Sequence, residues 1–307
     1  MGLPFAFWIN PIYIPTGYLL EDYSGAAAAY SLRKIANATT SVIKVRRSSD
    51  NTEQDFTASE IIDGTLTTFT GAGDGFVSVW YDQSGSSNNA LQTTASNQPK
   101  IVSSGTVILE NGKPAVKFDG SNDNLSVWNN TTSPITFQSI SDSLTVLTVE
   151  KATSISGSPN FWFNNKTLIE IRNNSGAGSK VPINIGYSNS DFGFGVTDNY
   201  TSGAEIKLSA TVSVAQRLST SLIDGDDLDV FLNSVSAINT SFTTATSDRS
   251  ISSSNSTFSI GARSRDGGQI DRNFYIGNVQ EIIIYPSNES TNRAGIEANI
   301  NTEYTIY

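Results

Sequence analysis

The stretch Phe76-Val77-Ser78-Val79-Trp80-Tyr81-Asp82-Gln83-Ser84-Gly85 is an apolar, aromatic run that passes directly into a polar corner closed by glycine. Val, Trp and Tyr in near alternation suit a pleated, half-buried strand. The corner residues have distinct jobs: an Asp side chain satisfies backbone N–H groups of a turn, and Gly85 supplies a positive φ. Trp80 is expected in the core, and Trp80, Tyr81, Asp82, Gln83 and Gly85 form a structural corner. Upstream, Gly71-Ala72-Gly73-Asp74-Gly75 is a turn; downstream, a long polar connection leads to a short strand that starts at Pro99 and runs toward Val102. Asn111-Gly112, set between Val107-Ile108-Leu109 and Ala115-Val116-Lys117-Phe118, is the strongest hairpin signal in the chain.

Beyond residue 135 the pattern repeats. Segments 144–149, 167–171, 191–196, 205–214, 228–233, 257–262 and 274–285 all have strand composition and are separated by Gly, Ser and Asn. Such a procession predicts an all-β sandwich or jelly roll. Two helices are expected beside it. Residues 24–38 (SGAAAAYSLRKIANA) combine an N-cap serine with alanines, and Ile296, Ile300 and Tyr304 at i, i+4 and i+8 predict a terminal helix lying across the sandwich. Val42 to Arg46 alternates like a strand, and the polar run Arg47–Asp55 is read as a loop or an ionic corner. No linker divides the chain, so residues 22–307 are taken as one domain. Residues 1–21 stand apart as an apolar arm with Phe5, Phe7, Trp8, Ile12 and Tyr13 punctuated by prolines. It either packs on its own domain or docks into a neighbouring subunit or assembly.

Composition narrows the chemistry. The 307 residues carry a formal charge of −10, no Cys and no His. These absences exclude disulfides, thiol nucleophiles, thiolate or imidazole zinc sites and a Ser-His-Asp triad. Carboxylate chemistry, oxygen-ligated metals and plain binding remain. The acidic balance argues against nucleic acid as a partner. The start lacks a basic region and its prolines interrupt any apolar helix, so no signal peptide and no membrane span are expected.

The motifs Ala28-Ala29-Tyr30-Ser31-Leu32-Arg33, Val45-Arg46-Arg47-Ser48-Ser49-Asp50-Asn51, Trp80 to Gly85, Gln98-Pro99-Lys100-Ile101-Val102 and Gly112 to Gly120 together resemble two related groups. One is the catalytic domain of fungal α-L-arabinofuranosidase B. The other comprises concanavalin-A-like, laminin-G-like modules of bacteriophage tail, fibre and other virion proteins. The likeness is specific over 22–125 and looser over 255–307. It implies a concanavalin-A-like β-sandwich of jelly-roll type. The arabinofuranosidases use a Glu nucleophile, whereas the comparable segment here, Pro182 to Ser188, has no carboxylate; their acid/base Asp corresponds to Asp266 only with a one-residue offset. A retaining glycosidase needs two carboxyl groups about 5 Å apart. The resemblance therefore implies a non-enzymatic, structural or adhesive virion component exposing a sandwich that binds surface glycans, with an arabinofuranosidase-like hydrolase or a free lectin module as alternatives.

Site candidates follow from residue type. Trp128, Trp162 and Tyr187 suit sugar stacking, with Arg263, Arg265 and Asp266 on the same rim; Asp266 is also the one catalytic candidate. Asp224, Asp226, Asp227 and Asp229 could hold calcium, but their order does not match an EF-hand loop, and a solvated hairpin turn is the simpler reading. Asp119 and Asp123 invite the same pair of readings. No other cofactor is implied.

Overall fold

A computed structural model describes residues 17–127, 143–155, 166–173, 180–188, 191–197, 205–241, 256–264 and 270–307. The chain enters through helix α1 (Leu19–Asp22), followed by strands β1 (Ala28–Ser31), β2 (Ile43–Arg47) and β3 (Glu53–Phe56). Helices α2 (Ala58–Ile62) and α3 (Thr65–Thr70) lead to β4 (Gly75–Trp80) and β5 (Ala90–Leu91). Then come β6 (Lys100–Ser103), β7 (Thr106–Val107), β8 (Leu109–Glu110), β9 (Lys113–Pro114), β10 (Val116–Asp119) and β11 (Leu125–Val127). The second half holds β12 (Ser143–Ala152), β13 (Lys166–Asn173), β14 (Lys180–Ser188), β15 (Asp191–Thr197) and β16 (Glu205–Thr211). It closes with β17 (Arg217–Asp224), β18 (Asp227–Leu232), β19 (Val235–Ser241), β20 (Ser256–Ile260), β21 (Arg263–Ser264), β22 (Ile270–Arg272), β23 (Ile276–Tyr285) and helix α4 (Arg293–Tyr304).

The strands form two antiparallel layers. Layer one runs β19-β18-β17-β12-β23, and the far edge of β23 is shared end to end by β1 and β10. Layer two runs β16-β15-β14-β13-β20-β11-β5-β4-β2-β3. Strand β6 pairs with both β10 and β4, so the layers merge along a seam. This is the expected all-β jelly-roll sandwich.

Two apolar clusters hold it together. The larger lies between the layers and includes Tyr30, Val77, Trp80, Phe118, Val146, Ile185, Phe194, Phe258 and Ile282. The smaller lies on the other face of layer one, where α4 buries Ile296, Ile300 and Tyr304 against Leu147, Val149, Leu218, Ile283 and Tyr285. The predicted terminal helix is thus present, and its i, i+4, i+8 stripe is the face it buries.

The helix expected over 24–38 is not there. Ala28–Ser31 is a strand with every residue buried, Ala28 and Tyr30 facing the inter-layer core and Ala29 facing the α4 side. Its alanines give helix propensity, but a slot between two packed layers and four registered partners on β23 outweigh it. The polar run after β2 is partly strand, since Glu53–Phe56 pairs back onto β2. An ionic corner does form within it, with Arg47 2.7 Å from Asp50. Helix α2 starts with a full capping box between Thr57 and Glu60. Asn111 and Gly112 both take positive φ (49° and 75°) between β8 and β9, the backbone a two-residue hairpin of this type requires.

Candidate functional site

The opening corner is built from side chains that cap backbone. Asp82 accepts from the backbone N–H of Ala29 (2.8 Å), Ser84 (2.9 Å) and Asn88 (2.9 Å) and from the Ser84 hydroxyl (2.8 Å). Gln83 is buried and reaches the other way: its Oε1 accepts from Ile35 N–H at 2.9 Å, while Nε2 donates to the carbonyls of Ser31 (2.9 Å) and Arg33 (3.0 Å). Gly85 sits at φ 89° and Trp80 is fully buried against Tyr30. Gln83 is thus spent on pinning β1 and the chain after it, and Asp82 on tying β1 to its own corner.

Tyr187, expected on a sugar-binding rim, is instead in the core. It lies on the Ile183 and Ile185 face of β14, is fully buried, and packs edge-on to Phe192. Strand alternation decides this, because residues 183, 185 and 187 share one face. Its hydroxyl donates to Glu150, which also accepts from Tyr275 (2.5 Å) and faces Arg217 Nε at 3.2 Å. Burial pushes the Glu150 carboxyl up, against the opposing pull of Arg217 and the two tyrosine hydroxyls. Both tyrosines are pushed up as well, first by burial and then by Glu150. Nothing in the composition or spacing of Ser143–Ala152 marked Glu150; its one signal is a carboxylate that, apart from Lys151, stands among apolar or small residues.

Glu170 is the second buried carboxylate missed from the sequence. It pairs in register with Asn184 on β14 and Ser259 on β20, on the face of layer two turned away from the inter-layer core. Asn184 Nδ2 donates to it at 3.1 Å, and Arg263 Nε lies 3.4 Å away with only 2% exposure. Arg263 therefore serves a buried ion pair and not an open rim. The segment that the resemblance aligns with a nucleophile offers Asn184, Gly186 and Ser188 on that same face. The nearest described carboxylate along the face is Asp191, opposite Ser188. Two strand spacings and four residues separate it from Glu170, roughly 16 Å in ordinary sheet geometry. Glycosidase pairs stand about 5–5.5 Å apart in retaining enzymes and about 6.5–9.5 Å apart in inverting ones. Glu150, facing the interior from layer one, shares no cleft with either.

The aspartates of 224–229 form the β17–β18 hairpin. Asp224 accepts from Ser143 and Asn288, Asp227 from Ser241, and Asp229 from Asn239. Among the described residues no group of three or more His, Cys, Asp or Glu is placed to hold a metal ion. Asp119 caps its own turn, accepting from Ser121, Asn122 and Asp123 backbone N–H groups, while Asp123 accepts from Asp119 N–H. Partial burial, with Asp119 adding to it, pushes Asp123 up to about 7. Trp128, Trp162, Arg265 and Asp266, and the arm residues Phe5, Phe7, Trp8, Ile12 and Tyr13, lie outside the described residues.

An open cleft of about 390 Å³ lies where α2, the β8–β9 hairpin and the end of α4 meet. Leu32, Ile62 and Pro114 give it apolar walls; Lys34, Lys113 and Glu303 give it charge. Its floor is fixed by Arg33, which meets Glu281 at 2.8 and 3.0 Å and Asn299 at 2.9 Å. Lys113 is tied to Glu303 at 2.8 Å, and Lys34 sits 5.1 Å from the Tyr18 ring centre. Ile62, 70% exposed, separates the cleft from a second depression of about 270 Å³ lined by Val107 and Leu109. Volume and mixed lining fall in the range of small-ligand sites.

No protein-family model matches the sequence, and no curated protein matches it. Among solved structures, a GH54 α-L-arabinofuranosidase soaked with a cyclic sulfate inhibitor is similar over 92% of this chain, with a TM-score of 0.63 and 15% identity. A mutant GH54 α-L-arabinofuranosidase soaked with 4-nitrophenyl α-L-arabinofuranoside gives the same values. An arabinofuranosidase complexed with arabinofuranosyl-α-1,2-xylobiose has a TM-score of 0.60, again at 15% identity over 92% of this chain. The chain spans 64% of the length of each of these structures. The likeness establishes a shared β-sandwich fold.

Proposed function

We propose that the chain is a non-enzymatic glycan-binding β-sandwich, carried as a structural or adhesive component of a bacteriophage virion and docked through the part of its N-terminal arm that precedes α1, since Leu19 and Leu20 pack into the domain's own second cluster. The observation that carries the binding reading is the separation of roles in the described residues. The carboxylates set deep in the strands, Glu150, Glu170 and Glu281, are enclosed and ion-paired with Arg217, Arg263 and Arg33, whereas the open cleft beside Arg33 offers fixed charges next to apolar walls. Such a cleft can hold the alternating hydroxyl and C–H surfaces of a saccharide and has no paired carboxyls to cleave it. The virion setting is supported by the motifs of 22–125 and by the apolar, proline-broken arm.

A glycan array probed with the intact chain tests binding: hits that weaken in Lys34→Glu are expected, and an array without hits would remove the reading. Incubation with 4-nitrophenyl α-L-arabinofuranoside is expected to release no nitrophenol. Release that disappears in Asp266→Asn would establish the hydrolase in its place. Co-purification of the intact chain with phage particles, lost on deleting residues 1–16, is the expected result for the docking arm.

A further inference from the structure

The seam between the layers carries a row of cations that the cleft does not use. Across neighbouring strands, Arg46 on β2 stands opposite Phe76 on β4, and Phe76 opposite Lys100 on β6. Lys100 stands opposite Lys117 on β10, Lys117 opposite Asn278 on β23, and Asn278 opposite Lys151 on β12. Residues paired in this way share one face of the sheet. At ~4.8 Å per strand the row is roughly 24 Å long. All six side chains reach the surface: Lys117 is exposed and the others are partly so. The Phe76 ring lies between Arg46 (4.7 Å) and Lys100 (5.4 Å), which confirms that the three share a face.

The charges are held in place and only in part neutralised. Lys100 is tethered to Asp74 at 2.7 Å and Lys151 to Glu110 at 3.0 Å. Arg46 spends its N–H groups on neutral acceptors: Gln98 at 2.6 Å, Asn51 at 2.8 Å and the Ala95 carbonyl at 3.1 Å. Lys117 has no hydrogen-bond or ion-pair partner among the described residues. The row thus keeps two cations without an ion pair, Lys117 and Arg46, the latter with Glu53 in register beside it, and two more fixed beside a carboxylate, together with an aromatic ring and an amide that donates to Glu110.

We infer that this row is a binding track for an extended anionic saccharide, one bearing uronate or sulfate groups; this rests on the glycan-binding reading above and names the ligand class. A linear polymer fits an extended row better than it fits the compact cleft. The chain's charge of −10 disfavours a densely charged polyanion such as duplex nucleic acid, whose binding needs many phosphates neutralised. A saccharide with sparser charge meets only the local row, because at physiological salt the field of the distant acids is screened within about 8 Å. Phe76 would meet its C–H faces.

Calorimetry on the intact chain tests the track with an oligogalacturonide octamer, a heparin-derived octasaccharide and, as neutral probe, a xylo-oligosaccharide of similar length. The expected result is anionic binding that weakens with added salt, falls about tenfold in Lys117→Glu and in Arg46→Gln, and is unchanged in Lys166→Glu on β13. The two anionic probes tell carboxylate from sulfate recognition. Anionic binding untouched by the two row variants would overturn the track. Binding of the neutral probe alone would overturn it while leaving the glycan reading intact, whereas binding of no saccharide here or on the array would remove both. Equal, variant-sensitive binding of inorganic polyphosphate would overturn the saccharide as ligand.

Discussion

Replacing Gln83 by alanine tests whether the corner is a structural clamp. The side chain is 5% exposed and makes three hydrogen bonds to backbone. Alanine would leave the Ile35 N–H and the Ser31 and Arg33 carbonyls without these partners. An unsatisfied buried polar group costs about 1–3 kcal/mol. The Arg33 carbonyl is only part-buried and can recover water, so two groups are left at the lower half of the range, about 2–4 kcal/mol in total. Urea unfolding followed by the fluorescence of the four tryptophans should show a lowered midpoint with an unchanged slope. Gln83→Glu gives a sharper discrimination. Its carboxylate still accepts from Ile35 N–H but turns an acceptor toward two carbonyls, so the folded state raises its pKa. That variant should be closest to wild type below the unfolded-state pKa of about 4.3 and lose stability as pH rises through the raised folded value. A Gln83→Ala loss below about 1 kcal/mol, or a Gln83→Glu variant with no pH dependence beyond wild type, would refute the clamp.

Glu150→Gln should destabilise by about 3–5 kcal/mol, because the Arg217 charge stays buried without its anion; the double variant Glu150→Gln with Arg217→Met should recover part of this in a thermodynamic cycle, and strict additivity would refute the coupling. The raised carboxyl of Asp123, about 7 when folded, contributes stability that is complete below its unfolded pKa and lost as pH rises through 7. Asp123→Asn should flatten the urea midpoint between about pH 4 and pH 7.5, and an unchanged wild-type slope in that variant would assign the pH dependence elsewhere. Gly261→Ala places a Cβ 2.3 Å from the buried Phe118 ring at a φ of 83°, which should cost about 3 kcal/mol in thermal or urea unfolding; a variant as stable as wild type would mean that the Phe118 ring yields.

Turns and amphipathic edges were legible in the sequence. Asn111-Gly112, the aspartate-rich hairpin after β17 and the Ile296, Ile300, Tyr304 stripe are local signals, each set by the geometry of a few adjacent residues. Ala28–Ser31 was misread because its strand state is imposed from outside by β23, 250 residues away. The short α2 and α3 were not anticipated either, since Ala58–Ile62 and Thr65–Thr70 are too short to show a helical period. The glutamates inside the strands escaped for a further reason. Composition records that a carboxylate exists, but only the packed partners, Arg217 for Glu150 and Arg263 for Glu170, tell an enclosed ion pair from an open one. The cation row is invisible in sequence, as its members are separated by crossovers and meet only through register.

The pairing of β1 with β23 orders events in time. The ribosome makes β1 long before β23, the strand that pairs with it, is finished at residue 285. Asp82, Gln83 and Trp80 reach β1 and Tyr30 early, but the β23 edge of Ala28–Ser31 stays open through most of synthesis. That edge of layer one closes late, a slow route for a fold dominated by distant contacts. Until then that edge is open to pairing with another chain, so yield in expression should depend on temperature and chaperone supply more than the finished fold's stability would suggest.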